Sequence, residues 1–192
     1  MRDSRPNIVF LIADDHRHDA VHALGDAQVR TPNLDKLADS GTALTNTYIM
    51  GSTVGAVCMP SRGMMLTGRT LWRIDEPDLG DWPLWPQMLR EAGYHTYGVG
   101  KWHNERKSFA KCFADGAEIF FGGMSDHYTV PVHDYDPKGH FPEDDIRVGQ
   151  GFSTDIFAGV ATEFLRQYPG RDPFCLYVAF TAPHDPRTPP DE

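Results

Sequence analysis

Three hydrophobic segments along the chain predict strands of one sheet. They cover residues 7–13 (NIVFLIA), 95–100 (HTYGVG) and 173–180 (PFCLYVAF). The first is a continuous apolar run rather than an alternating one, which is typical of a parallel strand buried on both faces, and the last predicts another buried strand. Each segment ends in a polar cluster, and open α/β sheets bind ligands at the carboxyl ends of their strands.

Helical patterns separate these strands. Residues 31–41 and 84–93 each have a proline near the start and a glycine at the end, and Thr31 is placed to cap the first of them. A further helix is predicted to begin at a cap formed by Ser153 or Thr154. Strands that alternate with helices predict an α/β fold with a mainly parallel sheet flanked by helices.

One long segment lacks such periodicity. Residues 122–150 are rich in Gly, Pro and Asp, which predicts an insertion or a long surface loop near the site. The chain shows no internal repeat and no clear linker. Its length of 192 residues favours one domain, or part of a larger one.

The amino-acid composition and charge argue against several classes of function. Lys and Arg number 18 against 27 Asp and Glu, a formal charge of −9, which argues against nucleic-acid binding. The longest early apolar run is too short for a membrane span, and no signal peptide is visible, so no membrane association is expected. The default compartment is the cytoplasm, or the periplasm or exterior if the N-terminus is trimmed. Cys58, Cys112 and Cys175 have no CxxC spacing, which argues against a disulfide scaffold or structural zinc.

The most distinctive motif begins at Cys58 and reads CMPSRGMMLTGR. Pro60 suits a helix start and Gly68 a helix end, so Cys58 is predicted at the amino end of a helix, where free N–H groups favour anions. Arg62, four residues later, can lie over the same end as a bidentate donor. A buried cysteine in front of a core helix is the alternative at this point.

Polar residues stand at the three strand ends. Asp14 and Asp15 are either a capping pair or a cation site, because adjacent carboxylates repel unless a cation or basic group lies between them. Lys101 and His103 are two residues apart, so in extended geometry they point the same way. The alternative there is a surface lysine and an ordinary histidine. His184, in a PHDP turn, is by itself more typical of a loop residue.

The C-x-P-S-R motif followed by LTGR resembles the signature of the type I, formylglycine-dependent sulfatases of the alkaline-phosphatase-like superfamily. NIVFLIADD, TPNLDKLADSG, GVGKWH and TAPHDP follow in that family's order, so the resemblance covers most of the chain. It implies that residues 1–192 are the N-terminal portion of a sulfatase catalytic domain whose carboxyl-terminal remainder is absent. Met59 stands where many relatives have a small residue and leaves the C-x-P-x-R core intact.

The resemblance also implies a modified residue and a metal. Cys58 is expected to be converted to Cα-formylglycine by a formylglycine-generating or an anaerobic maturation enzyme. Asp14, Asp15 and residue 58 are expected to bind a divalent metal, Ca²⁺ by the family's usual choice, and hard oxygen ligands suit that ion.

The remaining roles follow from the same resemblance. Lys101 is expected to contact the formylglycine and sulfate oxygens, His103 the formylglycine hydroxyl, and Arg62 the aldehyde hydrate. His184 is expected to bind sulfate and assist the leaving oxygen. The implied enzyme is a sulfuric ester hydrolase in which the hydrated aldehyde attacks sulfur and forms a covalent sulfo-enzyme, which then releases sulfate.

The expected substrate is a sulfate monoester on a small molecule or glycan, with a carbohydrate favoured. Two alternatives stay open. One is a phosphate or phosphonate monoester hydrolase of the same superfamily. The other is a catalytically incompetent fragment that only binds anions, because the family's further metal ligands and a second sulfate-binding lysine normally follow the segment present here.

Overall fold

A four-stranded parallel sheet organises the part of the chain that the structure describes. The computed structural model describes residues 5–25, 28–53, 57–74 and 79–190. In chain order the strands are β1 (Ile8–Ile12), β2 (His95–Lys101), β3 (Asp115–Phe120), β4 (Pro131–Val132), β5 (Arg147–Val148) and β6 (Phe174–Ala179). The helices are α1 (Pro32–Ser40), α2 (Cys58–Thr67), α3 (Trp85–Glu91), α4 (Arg106–Cys112) and α5 (Ser153–Gln167).

The large sheet has the order β1-β6-β2-β3, and each neighbouring pair is parallel. The carboxyl ends of all four strands therefore lie along one edge. The prediction of an α/β fold with a parallel sheet flanked by helices is confirmed. The pattern missed β3 and α4, since neither has a long apolar run.

Burial differs between the two strands that were predicted to be covered on both faces. All six residues of β6 are buried, as expected for a central strand. In β1 burial alternates, and Val9 and Leu11 are 49% and 56% exposed. The prediction of burial on both faces is therefore wrong for β1. The reason is its place at the edge of the sheet, where one face is left uncovered.

Two hydrophobic clusters lie on opposite faces of the sheet. One contains Trp102, Phe109 and Tyr177 together with residues of α2 and α4. The other contains Val99 and Val178 together with residues of α5. Neighbouring residues of one strand point to opposite faces, so β6 contributes to both clusters.

Glycine replaces apolar side chains in β2 for steric reasons. A Cβ on Gly98 would lie 2.6 Å from Cζ of Phe109, so α4 packs directly on the strand backbone. Gly100 has a φ of +86°, and a Cβ there would overlap the carbonyl oxygen of Ala179. The close approach of β2 to β6 therefore requires glycine at position 100.

The helix starts differ in detail from the predicted caps. Thr31 stands at the N-cap position of α1, but its hydroxyl donates to the Asp35 carboxylate instead of capping a backbone N–H. Phe152, not Ser153 or Thr154, holds the N-cap position of α5, and its side chain makes no capping bond. Ser153 is the first helical residue, and its hydroxyl faces His127 and Thr181. The predicted cap at Ser153 or Thr154 is wrong.

Most of residues 122–150 form loops. Within them β4 and β5 pair as a short antiparallel ribbon. An isolated bridge between Ile119 and His133 ties the segment to the end of β3. Among the described residues, no helix has the length and apolar character needed to cross a bilayer.

Candidate active site

One edge of the sheet gathers the predicted site residues from separate parts of the chain. Asp14 follows β1, Lys101 ends β2, and His184 lies in the turn after β6. Cys58 is the first residue of α2, as the motif predicted, and Gly68 ends that helix in the left-handed conformation. The carboxyl ends of parallel strands meet at this edge, which is where open α/β sheets bind ligands.

Asp14 is a buried carboxylate held between two cations. It is 4% exposed, forms an ion pair with the Lys101 ammonium, and lies 3.4 Å from Nη2 of Arg62. Its backbone N–H donates to the carbonyl of Ala182, which links the end of β1 to the turn after β6. Removing a charge from water costs several kcal/mol, so the two cations offset the cost of burying this carboxylate.

Arg62 and Lys101 bring positive charge to the site. Arg62 is 2% exposed, and its Nη1 donates to the backbone carbonyl of Lys101 at 2.7 Å. The Lys101 ammonium also donates to the carbonyl of Gly123, in the segment predicted to be a loop near the site. Two buried cations face one buried carboxylate, so the centre has a net positive charge that suits an anionic ligand.

His103 reaches the site by a different backbone path from the predicted one. β2 ends at Lys101, and His103 has a φ of +63°, so the two residues are not in continuous extended geometry. That prediction is wrong in its geometry. The glycine at position 123 allows close approach, since a Cβ there would lie 2.7 Å from Nε2 of His103.

The environment of His103 keeps its imidazole neutral. Burial, followed by the charges of Lys101 and Arg62, lowers the pKa of His103 to about 4. Its Nδ1 atom is buried and has no hydrogen-bond partner among the described residues. An imidazole that is neutral near pH 7 has a free nitrogen lone pair, so His103 can accept a hydrogen bond or, transiently, a proton.

His184 and Asp15 form the more exposed side of the site. Nδ1 of His184 donates to the carbonyl of Asp185 at 2.9 Å, so the Nε2 atom is left to face the site. That Nε2 lies 3.6 Å from a carboxylate oxygen of Asp15, whose side chain is 41% exposed. The two adjacent aspartates therefore have different environments, and Asp14 alone is buried.

Three of these residues offer donor atoms to a divalent cation. A carboxylate oxygen of Asp14, Sγ of Cys58 and an imidazole nitrogen of His184 all lie within 4.8 Å of one another. The group shares Asp14 and Cys58 with the predicted metal site and has His184 in place of Asp15. The sulfur suits a softer ion than Ca²⁺, whereas an oxygen at position 58 would suit a hard one. The residues present thus fit a divalent cation.

The sequence patterns missed several residues that surround these groups. His127 is 2% exposed, and its Nε2 donates to the backbone carbonyl of His184 at 3.1 Å. Its Nδ1 lies 3.0 Å from the hydroxyl of Ser153 and 3.1 Å from that of Thr181. Nothing in the sequence separates His127 from other histidines in a loop, although the neighbouring Gly122-Gly123 pair is typical of close backbone packing.

A cavity of about 490 Å³ adjoins His103. Polar and aromatic side chains share its wall, and the side-chain oxygen of Asn104 is buried without a hydrogen-bond partner among the described residues. The lining includes Met59, His103, Asn104, Arg106, Phe121 and His133.

Comparison with known proteins places this geometry in a family. The Sulfatase family model matches residues 6–192. N-acetylglucosamine-6-O-sulfatase of Bacteroides thetaiotaomicron is 30% identical over 192 residues, which cover 94% of this chain and 31% of that protein. The human N-acetylgalactosamine-6-sulfatase is 28% identical over 212 residues, which cover 94% of this chain and 40% of that protein.

Solved structures agree with this match. A protein in complex with its substrate D-glucosamine-2-N,6-O-disulfate superposes with a TM-score of 0.75 and 29% identity. The match covers 97% of this chain and 36% of that one. The chain thus spans about a third to two fifths of the length of these relatives. Because the family model covers nearly all of the sequence, the chain belongs to the sulfatase family.

Proposed function

We propose that this chain carries the nucleophile and the anion-binding half of a formylglycine-dependent sulfatase that hydrolyses a sulfate monoester. One observation carries the proposal. Cys58, at the amino end of α2, lies beside a buried centre in which Arg62 and Lys101 outnumber the single buried carboxylate, Asp14. A sulfate monoester needs positive charge around its oxygens, a nucleophile and an acid for its leaving group.

Lys101 binds the sulfate oxygens, and Arg62 holds the aldehyde hydrate and adds positive charge for the same anion. Both side chains are almost fully buried, so their attraction for an anion is screened less than that of surface cations. Arg62 is also held in place by the Lys101 carbonyl, so the guanidinium is oriented before substrate binds. Such preorganised charge stabilises the negative oxygens of the transition state without further rearrangement.

The two histidines have complementary proton roles. His103, whose pKa is lowered to about 4, is neutral at physiological pH, so it can accept the proton of the second hydroxyl of the aldehyde hydrate as sulfate is expelled and the aldehyde re-forms. His184 presents Nε2 beside the Asp15 carboxylate and donates a proton to the leaving oxygen. Formylglycine at position 58, once hydrated, supplies the hydroxyl that attacks sulfur; the S–O bond to the alcohol breaks, the alcohol leaves with the proton from His184, and sulfate stays on residue 58 until it is released.

Asp14, Asp15 and residue 58 would hold the divalent metal, for which Ca²⁺ is our proposal. Carboxylate oxygens and an oxygen at position 58 are the ligands that Ca²⁺ prefers. The cation would add positive charge beside the nucleophile and lower the pKa of its hydroxyl. His184, whose imidazole nitrogen lies within 4.8 Å of donor atoms of Asp14 and Cys58, orients the ester oxygen.

A sulfated carbohydrate is the proposed substrate. Relatives named N-acetylglucosamine-6-O-sulfatase and N-acetylgalactosamine-6-sulfatase support this class, as does the solved complex with a sulfated glucosamine. The cavity beside His103 also supports it, because Asn104, Arg106 and His133 offer polar groups and Phe121 offers a ring face. A mixed polar and aromatic wall is suited to a sugar, which has both hydroxyl groups and apolar C–H faces.

The maturation step can be tested directly. The chain is co-expressed with a formylglycine-generating or anaerobic maturation enzyme, and the peptide containing Cys58 is analysed by mass spectrometry. We expect an aldehyde in place of the thiol at Cys58, while Cys112 remains a thiol in the same sample. Cys112 is the matched control because it is fully buried, and burial raises the pKa of its thiol. An unmodified Cys58 in active protein would overturn the proposed nucleophile.

The reaction class needs a second measurement. Rates on an aryl sulfate and on the matching aryl phosphate are compared for the matured protein and for Cys58→Ala. We expect faster turnover of the sulfate and no turnover by the variant. Preferential turnover of the phosphate would instead favour a phosphate or phosphonate monoester hydrolase. Sulfate binding without turnover of either ester would identify a chain that only binds anions.

A further inference from the structure

A buried polar cluster lies directly behind His184. It consists of His127, Ser153 and Thr181, which come from the loop after β3, the first turn of α5 and the segment just after β6. Their exposed fractions are 2%, 0% and 4%. Buried polar groups cost free energy unless they are hydrogen-bonded, so the contacts inside this cluster decide whether it is stable.

The hydrogen bonds of the cluster define the orientation of the His127 ring. The carbonyl of His184 can only accept a hydrogen bond, so the Nε2 atom of His127 carries the proton that it donates there. In the neutral ring Nδ1 is then an acceptor, and the hydroxyls of Ser153 and Thr181 lie 3.0 and 3.1 Å from it. These two hydroxyls are 2.8 Å apart. One of them therefore donates to Nδ1 of His127, and the other donates to the oxygen of the first hydroxyl.

The same cluster restrains the turn that carries His184. The backbone N–H of His184 donates to the carbonyl of Thr181 at 3.0 Å, and the N–H of Asp14 donates to the carbonyl of Ala182 at 3.2 Å. His127 adds the bond to the carbonyl of His184 itself. Rotation of this peptide group would move the attached imidazole, so the bond from His127 opposes displacement of Nε2 from the site.

We propose that His127 is a positioning residue that holds the His184 imidazole in line with the leaving oxygen of the substrate. This inference rests on the proposed function of His184 as the proton donor. Proton donation matters most when the leaving group is a poor one, such as the alkoxide of a sugar, and least for a nitrophenolate. Loss of the bond from His127 therefore slows hydrolysis of a sugar sulfate more than hydrolysis of a nitrophenyl sulfate.

Two substitutions at position 127 test the contacts of the two ring nitrogens of His127 separately. The side-chain amide of His127→Gln reaches the position of Nε2 and can still donate to the carbonyl of His184. The shorter amide of His127→Asn reaches only the position of Nδ1 and keeps the contacts to Ser153 and Thr181. Thr96→Val is the matched control for stability, because Thr96 is a buried threonine whose hydroxyl bonds lie outside the site, with Cys112 and Ala114.

The experiment measures kcat and KM of the matured chain on a sugar sulfate and on 4-nitrophenyl sulfate. For His127→Asn we expect kcat on the sugar sulfate to fall about tenfold or more, with a less than about threefold fall on the nitrophenyl ester. His127→Gln should stay within about threefold of the wild type on both. Equal losses on the two substrates, or equal behaviour of the two variants, would overturn the positioning role.

A second readout does not depend on turnover. Nitrogen-15 NMR of the full chain should show a proton on Nε2 of neutral His127. It should also show a shift of the His184 ring signals in His127→Asn but not in His127→Gln or Thr96→Val. Unchanged His184 signals in His127→Asn would contradict the proposal even in an inactive chain. If the wild type turns over no sulfate while these shifts appear, the proposed reaction fails and the positioning bond stands. If His127→Asn does not fold, the wild-type ring decides: a proton on Nδ1 rather than on Nε2 of His127 would exclude the bond to the His184 carbonyl and overturn the proposal.

Discussion

The Asp14 carboxylate and the Lys101 ammonium form a buried ion pair that spans the end of the central strand. Asp14 follows β1 and Lys101 ends β2, while β6 lies between these strands in the sheet. Arg62 approaches the same carboxylate from α2 at 3.4 Å. The site is thus also a structural junction, in which three distant segments share one carboxylate.

This junction predicts different costs for the two adjacent aspartates. Asp14→Asn leaves Arg62 and Lys101 buried without their shared counter-charge, and we expect a loss of about 3–5 kcal/mol in the free energy of unfolding. Asp15→Asn changes a side chain that is 41% exposed, so its cost should be within about 0.5 kcal/mol. Urea unfolding of the two variants measures this difference. Equal destabilisation would contradict the buried pairing of Asp14.

The acid sensitivity of folding should depend on His103. Its pKa is about 4 in the folded chain and about 6.5 when unfolded, so between these values the unfolded state binds more protons. The stability due to a neutral His103 is therefore fully present above about pH 6.5 and is lost as the pH falls towards 4. Urea unfolding at pH 7 and pH 5 should show a smaller loss in His103→Gln than in the wild type. A larger loss of stability in His103→Gln than in the wild type would contradict a lowered pKa of His103 in the folded chain.

Anion binding should need the fixed guanidinium of Arg62 and not only its positive charge. Arg62→Lys keeps the charge but cannot contact the Lys101 carbonyl and the Asp14 carboxylate together, so we expect sulfate binding to weaken at least about tenfold. Calorimetric titration with inorganic sulfate measures the Kd.

Arg90→Lys is the control for this measurement. Arg90 also donates to several backbone carbonyls, those of Ala110, Lys111 and Phe113, but it lies outside the site. This variant should lose stability while its sulfate affinity stays unchanged. Similar affinities for the two variants would argue against an oriented guanidinium in the site.

The backbone contact between β2 and β6 should tolerate only glycine at position 100. Gly100→Ala combines a positive φ with overlap of the Ala179 carbonyl, and we expect a cost of about 3 kcal/mol or more. Gly159→Ala is the matched control on the exposed face of α5, where a Cβ meets nothing within 4 Å. It should stabilise the chain by up to about 1 kcal/mol. Thermal unfolding of both variants tests the contrast.

The hydrophobic pattern predicted the positions of the strands more reliably than it predicted how deeply each strand is buried. The run at 173–180 predicted β6, and all of that strand is buried. The similar run at 7–13 predicted β1 but overstated its burial, because a run of apolar side chains shows what a strand can bury, not how many neighbours it has. β3 contains Gly116 and Glu118 and was missed, since its pairing with β2 supplies what its own pattern lacks.

The sequence alone predicted the residues of the candidate site, because motif and order identify side-chain chemistry: Cys58 and Arg62 on one helix, Lys101 at a strand end, and His184 in a turn. Only the tertiary structure decided how these groups differ in environment. It buried Asp14 and left Asp15 partly exposed, it lowered the pKa of His103, and it placed His127 behind His184. Burial and pairing arise between residues that are far apart along the chain, so no local pattern can encode them.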